Sequence, residues 1–385
     1  MTMEEKTGIR IASFNIQKFS ANSVRIKSDG ETKKDLDTIG RIIRDNQFDI
    51  IAIQEIYHKE ALKELLEKVA MQYAVEERMR RGSKSVVNPY AAGKTSESYG
   101  YRTKHWEGRW TAPNSYYGDN EGYAFIWNRD RVKLVTNMRN EVFEPRIEEY
   151  ISKKDTGNLV RPPFLGRFMP INGRYEIRLI NTHIAFNIPA KKKQEDNESY
   201  EPDLKDFDLR KREFTTLIQT VYRQFSQTQY DINRKDLDAR CLAPYTFLLG
   251  DYNLNLMASP THTTKLPTNL EVFETDGMRV VTVNNQLTTL KKRPTNDQEK
   301  EQQWMASPDV SYHMANNYDH FSYDDARLEN SRSGRGIAQP TVEVVHPFGY
   351  YEGQTENGET VFDLYQAKVS DHVPIYIDFD VRKRR

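Results

Sequence analysis

Four apolar runs in this chain stop at a side chain bearing oxygen or nitrogen, and a fifth polar pair stands at the head of an alternating strand. The clearest run is Phe247-Leu248-Leu249-Gly250-Asp251-Tyr252-Asn253. It reads as a buried strand delivering Asp251 and Asn253 to its C-terminal end, with strand alternation placing both on one face. The stretch from Ile9 to Phe14 runs into Asn15, the stretch from Ile50 to Ile53 into Gln54 and Glu55, and the stretch from Ile177 to Ile180 into Asn181-Thr182-His183. Ser370-Asp371-His372 precedes Val373-Pro374-Ile375-Tyr376-Ile377-Asp378-Phe379. A single polar strand end is most simply a turn former. Five in one chain, offering carboxylates, amides and two histidines, imply that several strands bring their ends to one site.

Between these runs the period changes. Leu36, Ile39 and Ile43 recur at helical spacing, as do Leu62, Leu65, Leu66 and Val69 within a helix expected from Glu60 to Tyr73. A longer helix is expected from Phe207 to Gln227, with Leu209, Phe214, Leu217, Ile218 and Val221 as its apolar stripe. Strands are expected at 123–127, 133–135, 164–168 and 175–180. The chain is therefore of the α/β class. Its 385 residues could hold one domain or two, but motifs spread from end to end favour a single domain over residues 1–385. Three polar stretches read as loop insertions: 78–119, 189–206 and 291–307.

Lys plus Arg and Asp plus Glu are equal at 56 each, so affinity for a polyanion has to come from a local patch. One cysteine, Cys241, excludes an intrachain disulfide and fits a reducing compartment. No secretory signal is visible at the N-terminus and no span is apolar enough for a membrane helix, so the expectation is a cytoplasmic protein that uses no membrane. No obligate protein partner is evident. Gly93-Lys94-Thr95 lacks the earlier glycine of a P-loop, and the spacing of Glu55 to His58 lies at a strand end, not on a helix.

In order, Ser13-Phe14-Asn15-Ile16, Ile53-Gln54-Glu55, Asn181-Thr182-His183, Gly250-Asp251-Tyr252-Asn253 and Ser370-Asp371-His372 resemble the endonuclease/exonuclease/phosphatase superfamily, and within it the deoxyribonuclease I branch and its bacterial relatives. Glu121 before the aromatic strand Gly122 to Trp127, and Tyr318-Asp319-His320-Phe321, add to the likeness. The resemblance implies a four-layer sandwich of two packed mixed β-sheets flanked by helices. It also implies that Glu121 orients His183 and Asp319 orients His372, and that Arg161 contacts phosphate.

Phosphodiester hydrolysis has to neutralise a non-bridging oxygen, deprotonate water and stabilise a departing alkoxide. Mg²⁺, with Mn²⁺ or Ca²⁺ as substitutes, suits the first task and favours one or two carboxylates plus water. Glu55, Asn15 and Asp371 are the expected metal ligands. Asp251 and Asn253 either complete a second metal position or orient water and phosphate. His183 and His372 are the proton-transfer pair. Arg210, Lys211 and Arg212 read first as solvated helix surface, and only second as phosphate contacts.

The expected function is a metal-dependent endonuclease acting on nucleic acid, DNA first, with little sequence preference. Its polymer surface is expected on two of the insertions, through Arg80, Arg81, Lys104, Arg109 and Lys191 to Lys193, with Tyr101, Trp106 and Trp110 packing on sugars or bases. The alternative is a phosphoesterase for a lipid or small phosphate ester. Inositol-phosphatase relatives would carry an Arg after the Gly-Asp-x-Asn element, where this chain has Leu254. A catalytically dead nucleic-acid-binding scaffold would show gaps in the constellation, and none is present.

Overall fold

A strand that is apolar on both faces needs a covering layer on each side, and the central strands of this chain are of that kind. The computed structural model describes residues 8–24, 33–81, 93–94, 100–111, 121–147, 159–171, 175–186, 202–230, 244–256, 271–275, 277–328, 340–355 and 358–379. The N-terminal part supplies β1 (Ile9–Phe19), β2 (Ile50–Ile56), β3 (Gly93–Lys94), β4 (Gly100–Arg102), β5 (Trp106–Thr111) and β6 (Gly122–Asn128). Then follow β7 (Val132–Leu134), β8 (Arg146–Ile147), β9 (Phe164–Pro170), β10 (Ile177–His183), β11 (Tyr245–Asp251), β12 (Val272–Thr275), β13 (Met278–Val283) and β14 (Asp319–Asp324). Finally β15 (Val342–Val344) and β16 (Ile375–Phe379) return to the first group.

These strands form two eight-stranded sheets. The first runs β15-β16-β1-β2-β6-β5-β4-β3, and the second β12-β13-β14-β11-β10-β9-β7 with β8 paired to β9. Both are mixed. The parallel pairs β1–β2 and β10–β11 are their centres, and β16 closes antiparallel on β1 with Ile11 opposite Ile377. Both ends of the described chain therefore lie in one sheet.

Alternation sorts each strand between two cores. Ile9 and Ile11, Ile50 and Ala52, Ile177 and Leu179, Phe247 and Leu249, and Phe321 and Tyr323 fill the space between the sheets. On the outer face of the first sheet, Ala12, Phe14, Ile51 and Ile53 meet α1 (Leu36–Asp45) and α2 (Lys59–Arg81) through Ile39, Ile43, Leu62 and Leu66. On the outer face of the second, Leu165, Ile180 and Leu248 meet α3 (Pro202–Thr216) and the π-helical stretch Leu217–Tyr222 that continues it. All five stripe residues read from the sequence are buried, four of them there and Leu209 in a separate cluster with Val160 and Ala185. The layers are helix, sheet, sheet, helix, as the resemblance implied.

The expected insertions are corrected in part. The stretch 78–119 contains β4 and β5, which extend the first sheet, so Tyr101 and Trp106 are buried and cannot stack on bases. Arg109 is buried too, and is held by Glu107 and Glu144. Trp110 donates its indole N–H to Ile56 O at 3.1 Å. Lys104 is exposed. Lys191 to Lys193, the side chains of Arg80 and Arg81, and Cys241 lie outside the described residues. The stretch 291–307 carries α4 (Gln298–Ala306), whose buried Trp304 donates to Asp363 at 3.2 Å on α5 (Val361–Lys368). Among the described residues no helix is long and apolar enough to cross a membrane.

Candidate active site

The inward-facing line of each central strand turns polar as it reaches the same edge of the sandwich. On β1 the series Ile9, Ile11, Ser13 ends in Asn15; on β10, Ile177 and Leu179 lead to Asn181 and His183; on β11, Tyr245, Phe247 and Leu249 lead to Asp251. Register then aligns them, with His183 opposite Asp251 across the parallel pair and Asp251 opposite Asp319 across β11–β14. Beneath the site two buried amides join the sheets. Gln54 of β2 donates to Asn181 Oδ1 at 2.7 Å, and Asn181 donates to the carbonyls of Ile53 and Ala124 at 3.0 and 3.2 Å.

His183 Nδ1 lies 2.5 Å from Glu121 Oε1, and His372 Nδ1 lies 2.8 Å from Asp319 Oδ2. A carboxylate only accepts, so each Nδ1 carries the proton and each Nε2 is turned toward Asp251. Both Nε2 atoms converge on one oxygen, Asp251 Oδ2, at 3.4 Å from His183 and 3.5 Å from His372. The two pairings expected from the sequence are thus brought together, around a carboxylate that is 2% exposed. The other oxygen of Glu121 takes Arg161 Nη2 at 2.9 Å. Arg161 therefore reaches the site already bound to the carboxylate that orients His183.

Asn15 spans two carboxylates, its amide nitrogen donating to Glu55 Oε1 and Asp251 Oδ2, each at 3.1 Å. Here it acts as a bridge that fixes their spacing. Glu55 Oε2 accepts the Lys18 amide at 2.9 Å, and Asp371 Oδ2 accepts Gln17 Nε2 at 2.7 Å. Ser370 Oγ donates to Asn15 O at 2.7 Å, tying the last motif to the first. Glu55 and Asn253 hold left-handed backbone, with φ of 58° and 50°. Such conformations cost energy and gather at functional sites.

Asn253 corrects one expectation. The strand stops at Asp251, the Asn253 amide folds back to donate to Asp251 Oδ1 at 2.9 Å, and its side chain donates to Ile184 O at 2.8 Å. The two residues thus meet through a turn, not along one strand face. Gly250 is needed just before it, because its φ is 143° and a Cβ there would sit 1.9 Å from Thr182 O.

Charge is tuned by burial and by neighbours. Burial opposes a charged imidazole at His372, yet Asp319 and Asp251 hold it well above the ordinary histidine value. At His183 burial and Arg161 are likewise outweighed by Glu121 and Asp251. Asp251 is pushed up by its own burial, which the histidines offset only in part. Glu55 ends below the ordinary carboxylate value, because His183, the Lys18 amide and Asn15 overcome its burial.

Lys34, which the sequence reading missed, lies buried near Asp371 and Glu55 and donates to Val369 O at 2.5 Å; burial pulls its pKa down to about 8. Gln17, Gln54, Asn181 and Tyr123, whose hydroxyl accepts the His183 amide at 3.1 Å, were also missed. The signal for Gln54 and Asn181 was present, as amides inside otherwise apolar runs.

Among the described residues no three His, Cys, Asp or Glu side chains are grouped to cage a metal ion. The donors nonetheless suit a hard cation that keeps most of its water. The carboxylates of Glu55 and Asp371 both act on the charge of Lys34, and Asp371 Oδ1 is buried with no hydrogen-bond partner among the described residues.

The Endonuclease/Exonuclease/phosphatase family matches residues 12–372. No curated protein matches the sequence. Similar solved structures include an endonuclease/exonuclease/phosphatase from Bacteroides vulgatus, 12% identical with a TM-score of 0.48 over 98% of this chain and 100% of that one. A family protein from Bacteroides thetaiotaomicron is 13% identical with a TM-score of 0.49 over 98% and 99%. A mannosyl-6-phosphatase from the same species is 12% identical with a TM-score of 0.46 over 96% and 98%. Likenesses this distant say nothing of the substrate. The family match spans most of the chain and every motif described above, and the chain belongs to the endonuclease/exonuclease/phosphatase family of phosphoester hydrolases.

Proposed function

We propose that the protein hydrolyses phosphodiesters, with DNA as substrate and little dependence on base sequence. The observation that carries this reading is the convergence of His183 Nε2 and His372 Nε2 on one point, Asp251 Oδ2, at 3.4 and 3.5 Å. A diester expels an alkoxide, a poor leaving group, and gains from two proton-bearing donors facing one phosphate.

Asp251, made more basic by burial, takes a proton from the attacking water. The water oxygen bonds to phosphorus and the ester P–O bond breaks. One imidazolium gives its Nε2 proton to the departing oxygen, while the other holds a non-bridging oxygen. Glu121 and Asp319 accept the Nδ1 protons and stabilise the imidazolium forms, which carry the second proton on Nε2. Asn253 and Asn15 fix Asp251 from two sides. Glu55 and Asp371 would hold a divalent cation, Mg²⁺ in the first place, which when bound neutralises phosphate charge.

A second reading, a phosphoesterase for a small ester, is favoured by one observation. Tyr101, Trp106 and Arg109, expected to grip a polymer, are interior residues. Incubating the protein with plasmid DNA, RNA, bis(p-nitrophenyl) phosphate and p-nitrophenyl phosphate, with Mg²⁺ or EDTA, separates the two. Nicking of plasmid that EDTA abolishes supports the nuclease. Hydrolysis of small esters alone moves the second reading ahead.

A further inference from the structure

Arg210 was expected on the solvated surface of its helix, and the structure places it inside. It is 3% exposed, whereas Arg212, two residues on, is exposed and Lys211 is paired with Asp208 at 2.6 Å. A buried guanidinium normally spends its five N–H groups on acceptors. Arg210 does not: Nε and Nη1 are buried without a hydrogen-bond partner among the described residues. Its neighbours in charge are Tyr318, Asp206 and the catalytic candidate Asp251, and Tyr318 also shares a side-chain hydrogen bond with it. Tyr318 directly precedes Asp319, and its carbonyl accepts the amide of Tyr252 at 2.8 Å. Arg210 therefore borders the Asp251–Asn253 side of the site, with Arg161 bound to Glu121 beside His183.

What covers it is aromatic and half in solvent. The Phe186 ring lies 4.6 Å from the guanidinium carbon and 6.4 Å from the Tyr318 ring, and Phe186 is 47% exposed. A phenyl ring shields a cation at modest cost but accepts none of its in-plane hydrogen bonds. Phe186 lies three residues after His183, so the cover and the proton donor share one short segment. A desolvated cation with an unsatisfied fork, under a ring that a side-chain rotation would lift, is built for an oxyanion with two coplanar acceptors.

We propose that Arg210 is a substrate-binding residue whose Nε–H and Nη1–H receive phosphate oxygens of the ester, and that Phe186 is the cover displaced as they enter. The inference rests on the phosphoesterase reading and adds to it a phosphate subsite on the Asp251 side. It also explains why a buried arginine beside the site is left unsatisfied. Without ligand its burial lowers its pKa, which Tyr318, Asp206 and Asp251 offset only in part.

The test is binding of inorganic phosphate, by calorimetry and by inhibition of bis(p-nitrophenyl) phosphate hydrolysis, with circular dichroism checking the fold. Arg210→Gln should weaken phosphate about tenfold or more, the worth of one or two charge-assisted hydrogen bonds, and raise KM more than it lowers kcat. Arg210→Lys keeps the charge without the fork and should be intermediate. Phe186→Ala, at a half-exposed position, should bind phosphate more tightly than wild type. A folded Arg210→Gln protein that binds phosphate as wild type does would overturn the subsite. If Arg210→Gln does not fold, unchanged phosphate affinity in both Arg210→Lys and Phe186→Ala overturns it equally. Wild-type protein that binds no phosphate overturns it as well. Wild-type protein that binds phosphate through Arg210 but cleaves no phosphoester would support the subsite while sinking the activity proposed above.

Discussion

Gln54 and Asn181 stand on different sheets and share a 2.7 Å hydrogen bond beneath the cluster of candidate site residues. Asn181 also caps the carbonyls of Ile53 and Ala124, so one buried side chain serves three partners across the sandwich. Asn181→Leu would leave those groups unsatisfied, at about 1–3 kcal/mol for each buried polar group stranded. The expected outcome is a fall of several degrees in Tm and a loss of activity larger than the stability change explains, because Glu55 directly follows Gln54 and His183 lies two residues after Asn181. Denaturant titration alongside kcat measurement checks this; wild-type kcat in a destabilised variant would show that the clamp is structural only.

His183 and His372 should each be needed. Replacing either by Ala removes a positioned proton donor and should lower kcat about 10²–10⁴-fold. Asp319→Asn keeps the shape but removes the negative charge that holds the Nδ1 proton of His372. It should cost less than His372→Ala and should shift the alkaline limb of the pH–rate profile downward, since Asp319 is the largest of the attractions that hold His372 protonated. Steady-state kinetics across pH read both effects. An unmoved limb would remove Asp319 from the proton-holding role.

Gly250→Ala should be among the most damaging single-methyl changes in the chain. The added carbon would meet Thr182 O at 1.9 Å, and φ of 143° is strained for any L side chain. Either β11 moves away from β10, breaking the register that sets His183 opposite Asp251, or the protein fails to fold. Soluble yield and Tm report the second outcome and kcat the first. Normal values of all three would show that the strand pair is looser than described.

His320 ties stability to acid. It is fully buried, donates to Leu254 O at 2.7 Å, and burial lowers its pKa to about 4. Above the unfolded value, near 6.5, both states are neutral and the full stability is present. As pH falls from about 6.5 to about 4 the unfolded chain takes up the proton first, and roughly 3 kcal/mol should be lost. His320→Asn can keep the bond without the titration. Its stability should therefore fall less steeply over that window, and parallel slopes for the two proteins would contradict the account.

Local chemistry made much of this legible. Apolar runs of strand length announced the strands, helical spacing announced α1 to α3, and the residue closing each run was the one that reached the site. Asn15, Glu55, His183 and Asp251 could be picked out because a strand buried on both faces is read from its own sequence, and a polar residue late in it has few bland uses when the pattern repeats. Asp371 was picked out from the Ser-Asp-His motif ahead of β16. The pairing of each histidine with its carboxylate came from resemblance, since nothing local links Glu121 to His183 or Asp319 to His372.

Tertiary structure alone decided what long-range packing decides. Whether Tyr101 and Trp106 faced solvent depended on β4 and β5 joining a sheet whose core strands β1, β2 and β16 come from both ends of the described chain. Whether Arg210 was surface or interior depended on Phe186 and Tyr318 closing over it, two residues distant in sequence from the helix that carries it. Lys34 gave no sign of its place beside Asp371 and Glu55, because a lysine before a helix is ordinarily solvated. Periodicity records which way a side chain points from its own strand or helix. It does not record what the other layers bring to meet it, and burial, charge pairing and the shape of the site are set by that meeting.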